Sequence, residues 1–191
     1  MSTETGRRVE SSGIELVIPS SVQMLLEGKK VTMKGELGTL SWDFSGSKVQ
    51  LMVDGNILRA TTQKKGKRGD ALLGTVSKRV KNLIRGVNER YVVKMKVVHS
   101  HFPTTVKKEG KTLRIENFMG ERSPRRITIP DGVEVNVTGV DLLMKGIDKD
   151  GVTQLAGSIQ STTRILRKDP RVYLDGIYVV EKGYESEIGG A

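Results

Sequence analysis

The chain has 191 residues, 32 of them lysine or arginine against 22 aspartates and glutamates, and only 4% are aromatic. The absence of cysteine excludes a disulfide scaffold, a thiol nucleophile and cysteine-ligated zinc or iron–sulfur sites. A formal charge of +10 points to a polyanionic partner, most simply nucleic acid, and 36% hydrophobic residues are too few for a membrane protein but enough for one or two globular domains.

The opening Met1-Ser-Thr-Glu-Thr-Gly-Arg-Arg lacks the apolar run of a signal peptide. No apolar run approaches the roughly 20 residues of a membrane span. A soluble, intracellular chain with frayed ends, about 1–12 and 184–191, is expected. Leu16 and Ile18, then Val22, Met24 and Leu26, then Val31 and Met33 alternate with polar positions, as half-buried strands do. Gly28 and Gly35–Gly38 mark turns. Val49–Val53 and Ile57–Thr61 flank Asp54-Gly55-Asn56, a hairpin signal. Asp70 is placed to cap a helix, whose apolar stripe is Leu72, Leu73, Val76, Val80, Leu83 and Ile84, with Gly86 as its C-terminal stop.

Tyr91–Val98 reads as a strand leading out of this helix. Further strands are expected at Thr104–Lys108, Thr112–Asn117, Arg126–Ile129, Val133–Thr138 and Leu142–Gly146, with a turn at Asp148-Lys-Asp-Gly151. Val152, Leu155, Ala156, Ile159, Thr163 and Leu166 form a second helical stripe that Pro170 must stop, and Ile177–Val180 closes as a strand.

The two halves repeat. Gly28-Lys-Lys-Val-Thr-Met-Lys-Gly-Glu-Leu-Gly38 lies over Gly110-Lys-Thr-Leu-Arg-Ile-Glu-Asn-Phe-Met-Gly120, and Leu72-Leu-Gly-Thr-Val76 lies over Leu155-Ala-Gly-Ser-Ile159 at almost the same offset. The expected fold is therefore α+β: two tandem similar domains, 1–93 and 94–184, each a mostly antiparallel sheet covered by one helix, with 185–191 as a flexible tail. Residues 1–93 hold 16 basic and 9 acidic side chains, and 94–191 hold 16 and 13. The second half must attract a polyanion through local clusters rather than its overall field.

Catalytic chemistry finds little support. His99 and His101, two apart on a strand, lack a third metal ligand. Gly110-Lys111-Thr112 lacks the earlier glycine of a phosphate-binding loop and sits where the repeat places a turn. Gly151 comes too early for a calcium loop after Asp148 and Asp150. No enzyme activity, cofactor, metal or small-molecule substrate is expected.

The cationic clusters carry more. Lys64-Lys65-Gly-Lys67-Arg68-Gly69 combines cations with glycines just before a helix, a composition suited to phosphate or simply to solvent. Lys78, Lys81 and Arg85 line the helix face opposite the apolar stripe. Arg122, Arg125 and Arg126 surround Ser123-Pro124 in a loop. The densest cluster runs from Arg164 to Tyr178: helical spacing puts Arg164, Arg167 and Lys168 on one side, with Arg171 and Tyr173 beyond Pro170. Arginine forks suit phosphate oxygens, and tyrosine stacks on a base or bonds a ribose hydroxyl. A reader of the RRM type is disfavoured because strand aromatics are scarce.

Arg171-x-Tyr-x-Asp-Gly-Ile-Tyr-Val179, with Lys182 beyond it, closely resembles the C-terminal motif of the ribosomal protein L-six family in its archaeal–eukaryotic branch. His101-Phe-Pro103 and Asn117-Phe-Met-Gly120 are similar to further motifs of that family, and the likeness spans about Gly13 to Lys182. It departs at Tyr173, where that branch usually has Phe. The resemblance implies two similar α/β domains and a structural protein of the large subunit of the cytoplasmic ribosome. It also implies direct rRNA binding near the sarcin–ricin loop and stalk base, mainly through the second domain, with neighbouring large-subunit proteins as partners. The alternative is a free-standing RNA-binding regulator, which carries the same charge pattern.

Overall fold

The computed structural model describes residues 8–9, 13–64, 66–100, 102–166, 168–169 and 171–188, and within them the alternating apolar positions form antiparallel hairpins. The first half contains strands β1 (Arg8–Val9), β2 (Gly13–Val17), β3 (Gln23–Glu27), β4 (Lys30–Gly35), β5 (Gly38–Asp43), β6 (Val49–Asp54) and β7 (Ile57–Thr62), followed by helix α1 (Lys67–Asn88). The second contains β8 (Tyr91–Val98), β9 (Thr105–Glu109), β10 (Thr112–Glu116), β11 (Arg125–Thr128), β12 (Val133–Thr138) and β13 (Asp141–Gly146). Helix α2 (Lys149–Thr162), β14 (Gly176–Tyr184) and the single turn α3 (Glu185–Ile188) complete it.

The chain divides into two compact units, 1–88 and 89–191. Among the described residues each holds one four-stranded and one three-stranded sheet, and every ladder is antiparallel. The orders β1-β2-β7-β6 and β14-β8-β13-β12 are the same, as are β3-β4-β5 and β9-β10-β11. Only the outermost strand has a different origin. In the first unit it comes from before the repeat, as β1, and in the second from after the helix, as β14. The duplication seen in the residues is thus a duplication of topology.

Helix α1 buries Leu73, Val76, Val80 and Leu83 and packs on β2, β4, β5 and β7. Helix α2 buries Val152, Leu155, Ala156 and Ile159 and packs on β8, β11, β13 and β14. Each core is closed by fully buried residues from both of its sheets, Met33 and Leu58 in the first unit and Leu113 and Met144 in the second. Completely burying such a side chain contributes roughly 1.5–3 kcal/mol, so the apolar stripes outweigh any surface pairing in holding the helices. Among the described residues no helix is long and apolar enough to cross a membrane.

Several boundaries differ from the sequence expectation, each for a physical reason. The division falls after Asn88 rather than at 93/94, because Tyr91–Val98 is laddered along its whole length by β13 and β14. Helix α1 starts before Asp70, with the Gly69 and Asp70 N–H groups both donating to the Gly66 carbonyl at 2.9 and 3.1 Å. Gly86 lies buried within the helix instead of ending it; the helix continues so that Val87 packs on Gly35 and its carbonyl accepts from Leu37 N–H at 3.0 Å.

Asp148 belongs to no free turn but caps α2, its carboxylate accepting from Asp150 and Gly151 N–H at 3.0 and 3.1 Å. Residues 185–188 of the expected flexible tail form α3, with Ile188 buried and the Glu187 carboxylate accepting from Tyr184 N–H at 3.0 Å.

The two repeated Gly-Lys turns are equivalent in backbone as well as in residues. Gly28 and Gly110 have φ of +63° and +59°, each heading a two-residue hairpin loop. A Cβ there meets no neighbour but forces a left-handed L-residue, at about 1–2 kcal/mol. Gly28→Ala and Gly110→Ala are each expected to lower unfolding stability by about 1 kcal/mol, read from urea midpoints. Equal midpoints to the parent would show that these turns relax.

Candidate nucleic-acid interface

The segment between α2 and β14 carries exposed cations in the second unit. Helix α2 stops at Thr162, so helical spacing does not set the positions of Arg164 and Lys168; both lie in the following loop, 164–175. The stop is built by Thr163. Its side chain is buried, its hydroxyl donates to the Ile159 carbonyl at 2.8 Å, and it accepts from Ile177 N–H at 3.4 Å. Leu166, expected on the helical stripe, is 72% exposed as a result. At the far end Asp175, 1% exposed, accepts from Ser100 N–H at 2.8 Å. The loop is therefore pinned at both ends by buried polar groups.

Between the pins the side chains turn outward. Arg164, Lys168 and Arg171 are exposed, and the Lys168 ammonium sits 4.6 Å from the centre of the half-buried Tyr173 ring. The Asp169 carboxylate accepts from Arg171 N–H at 2.9 Å, which turns the backbone at the point where Arg171 projects. The ring of Tyr178 covers Gly176, and its hydroxyl donates to the Leu174 carbonyl at 3.3 Å. Arg164, Ile165, Leu166 and Lys168 form a ridge between two clefts of about 440 and 600 Å³, the first closed by Tyr173 and Tyr178, the second by Phe118 and Arg125. Arg167 and Pro170 fall outside the described residues.

The 122–126 cluster splits. Arg122 and Arg126 are exposed. Arg125 is committed inward: its guanidinium forks onto the Glu121 carboxylate, donates to the Thr162 carbonyl and stacks 4.4 Å above the Phe118 ring. It ties β11 to the end of α2 and is a brace for the loop, not a free ligand. Beneath it Asn117 and Met119 both adopt left-handed backbone, with φ of 55° and 54°. Such residues cost about 1–3 kcal/mol each and persist only where the surroundings hold them. Here Asn117 donates to the Pro103 carbonyl at 3.2 Å and the Phe102 ring closes over Gly120. The two separated motifs, 101–103 and 117–120, thus meet, although His101 itself lies outside the described residues.

In the first unit Lys64, Lys67 and Arg68 are exposed around a tight turn; a Cβ on Gly69 would stand 2.0 Å from the Lys64 carbonyl oxygen. Lys65 falls outside the described residues. Lys182 is exposed on β14.

Pairing sorts the cations further. Arg59, Arg90, Lys94, Lys107, Lys111, Arg114 and Lys145 each pair with a carboxylate. Among the described residues, no ion pair engages Lys64, Lys67, Arg68, Arg122, Arg126, Arg164, Arg171 or Lys182. Lys111 is held by Asp131 across the hairpin, which accounts for the Gly-Lys-Thr run as a turn. Sequence reasoning missed Leu166, Val172 and Leu174, all more than half exposed beside the loop cations. The helical stripe marked Leu166 as buried, and its exposure follows from the early end of α2; no pattern marked Val172 or Leu174.

With the geometry in view, a profile of the family described as Ribosomal protein L6 matches residues 18–90 and 102–176. Similar proteins include the large ribosomal subunit protein uL6 of Desulfurococcus amylolyticus, 38% identical over 87% of this chain and 92% of its own length. Those of Methanosarcina mazei (40%; 86% and 94%) and Archaeoglobus fulgidus (39%; 86% and 87%) are comparable.

The hydrogen bond from Arg125, with its positive charge, holds the Glu121 carboxyl below its ordinary range. The pair is therefore intact at neutral pH, and its contribution is lost only as the pH falls below the usual carboxylate range. Arg125→Gln is expected to return the Glu121 titration upward, seen by carboxyl NMR. An unmoved titration would show that the fork is not formed in solution.

Proposed function

The chain belongs to the ribosomal protein L6 family and is a structural, non-catalytic constituent of the large ribosomal subunit, and we propose that it works there by gripping large-subunit rRNA through its second unit. In this reading it sits in the cytoplasmic ribosome near the factor-binding region, at the sarcin–ricin loop and stalk base, with the neighbouring large-subunit proteins as protein partners. The observation that carries the RNA contact is the loop 164–175: pinned at both ends by Thr163 and Asp175, it projects Arg164, Lys168 and Arg171 with Tyr173 among them.

The mechanism is binding without chemistry. Arg164 and Arg171 displace counterions from phosphates, while the half-buried Tyr173, with the Lys168 ammonium over its ring, is the aromatic contact proposed for an unstacked base or a ribose. Arg122 and Arg126 extend the cationic surface on the neighbouring β11 side, with Lys182 on β14. Arg167, between Arg164 and Lys168 in sequence, completes the proposed cluster, and Lys64, Lys65, Lys67 and Arg68, where the chain enters α1, add a separate cationic segment in the first unit. Because the backbone is held, the cations meet RNA without the ordering cost of a free loop.

Arg164→Ala and Arg171→Ala should each weaken binding to an rRNA fragment carrying the sarcin–ricin loop and lower the salt slope by about 1. An unchanged slope for both would remove them from the contact. Gradient sedimentation with large subunits separates this reading from a free-standing regulator, which would stay outside ribosomes.

A further inference from the structure

The duplication supplies an internal control for the exposed faces of the two helices. On α1, Lys67, Ala71, Gly74, Lys78, Lys81 and Arg85 recur at alternating spacings of four and three, so they share one stripe opposite the buried Leu73, Val76 and Val80. Lys67, Ala71, Gly74, Lys78 and Lys81 are exposed. No ion pair engages Lys67, Lys78 or Lys81 among the described residues, and Asp70 is the only carboxylate in the helix. The exposed positions of α2 are Gln154, Gly157, Ser158, Gln160 and Ser161, all neutral, and the half-exposed Lys149 and Asp150 of its first turn bring one charge of each sign. The two helices do the same packing in the same fold, so nothing in that packing demands lysines on the first. Their charge has another cause.

We propose that the outer face of α1 is a second RNA-docking surface, and that its ligand is an A-form duplex. The loop of the second unit suits unpaired nucleotides; this face suits a double strand. Lys67 and Lys78 are separated by about 17 Å along the helix at 1.5 Å per residue. Between them the profile drops to Ala71 and Gly74, and a Cβ at Gly74 would meet nothing. A low saddle with cations at either end fits the wide, shallow minor groove of A-form RNA, where recognition rests on shape, ribose hydroxyls and flanking phosphates. A long apolar side chain in the saddle would hold the helix off that groove. An acidic protein segment is also drawn to lysines, but has no need of a flat saddle between them.

The full-length chain tests this with a labelled RNA duplex, a single-stranded RNA of equal phosphate number and poly-glutamate as probes. Lys78→Gln with Lys81→Gln should weaken duplex binding roughly ten-fold near 0.1 M salt and reduce the salt slope by about 2. Lys34→Gln with Lys48→Gln, which removes the same charge elsewhere in the unit, should cost much less. Gly74→Leu keeps every charge and improves helix propensity, yet should weaken duplex binding several-fold while leaving the single strand unaffected; Gly157→Leu on α2 should change neither. Wild-type duplex affinity in Gly74→Leu, equal losses in the two double variants, or tighter binding of poly-glutamate than of duplex would each overturn the proposal.

Discussion

A polar group removed from water must find a partner, and in the second unit that rule fixes the place of the most cationic loop. Thr163 and Asp175 are both buried, so each has to be bonded within the protein: Thr163 to Ile159 and Ile177, Asp175 to Ser100. Leaving such a group unsatisfied costs about 1–3 kcal/mol, whereas an exposed ion pair such as Lys111–Asp131, whose side chains are 78% and 86% exposed, is screened by solvent and adds little. The anchors therefore dominate the surface pairs in deciding where the loop sits. Arg125, forked onto Glu121 and bonded to the Thr162 carbonyl, adds a third restraint from β11. What projects between them is a set of charges with a defined position.

The repeated topology explains how one frame carries different surfaces. The sheet orders coincide strand for strand, and both helices bury an apolar stripe over paired sheets. The core requirements are thus the same in the two units, while the edges are free to diverge. In the first unit the outermost strand is the short β1; in the second it is β14, entered from the loop 164–175. The difference in strand origin places an exposed cationic loop beside the second sheet, at the very point where the chain must travel from helix to edge.

Periodicity made the architecture legible. Alternation in Val31 and Met33 or in Leu113 and Ile115 marks strands with one buried face, and the three-and-four spacing of Leu73, Val76 and Val80 marks a helix, because burial follows those periods directly. The glycine repeats were readable for the same reason: a positive φ at Gly28 and Gly110 needs glycine in both copies. Element ends were less legible, since tertiary contacts decided them. Gly86 is a poor helix residue, yet Val87 has a core position to fill; Thr163 ends α2 through a hydroxyl whose partners lie on both sides of the loop. The arginine clusters were visible, but not which arginines are internally paired. Arg125 and Arg126 are adjacent, and only the fold separates a brace from a free cation.

In the proposed function, the buried anchors, and not charge alone, make the loop an RNA ligand. The most direct test is the affinity of Asp175→Ala for the rRNA fragment, measured on protein whose β8 and β13 amides keep their protection from hydrogen exchange. The substitution leaves every cation in place. Affinity should fall by about ten-fold as the loop loses its fixed end. Parent-level affinity with the loop released would contradict the account and leave only a diffuse positive field.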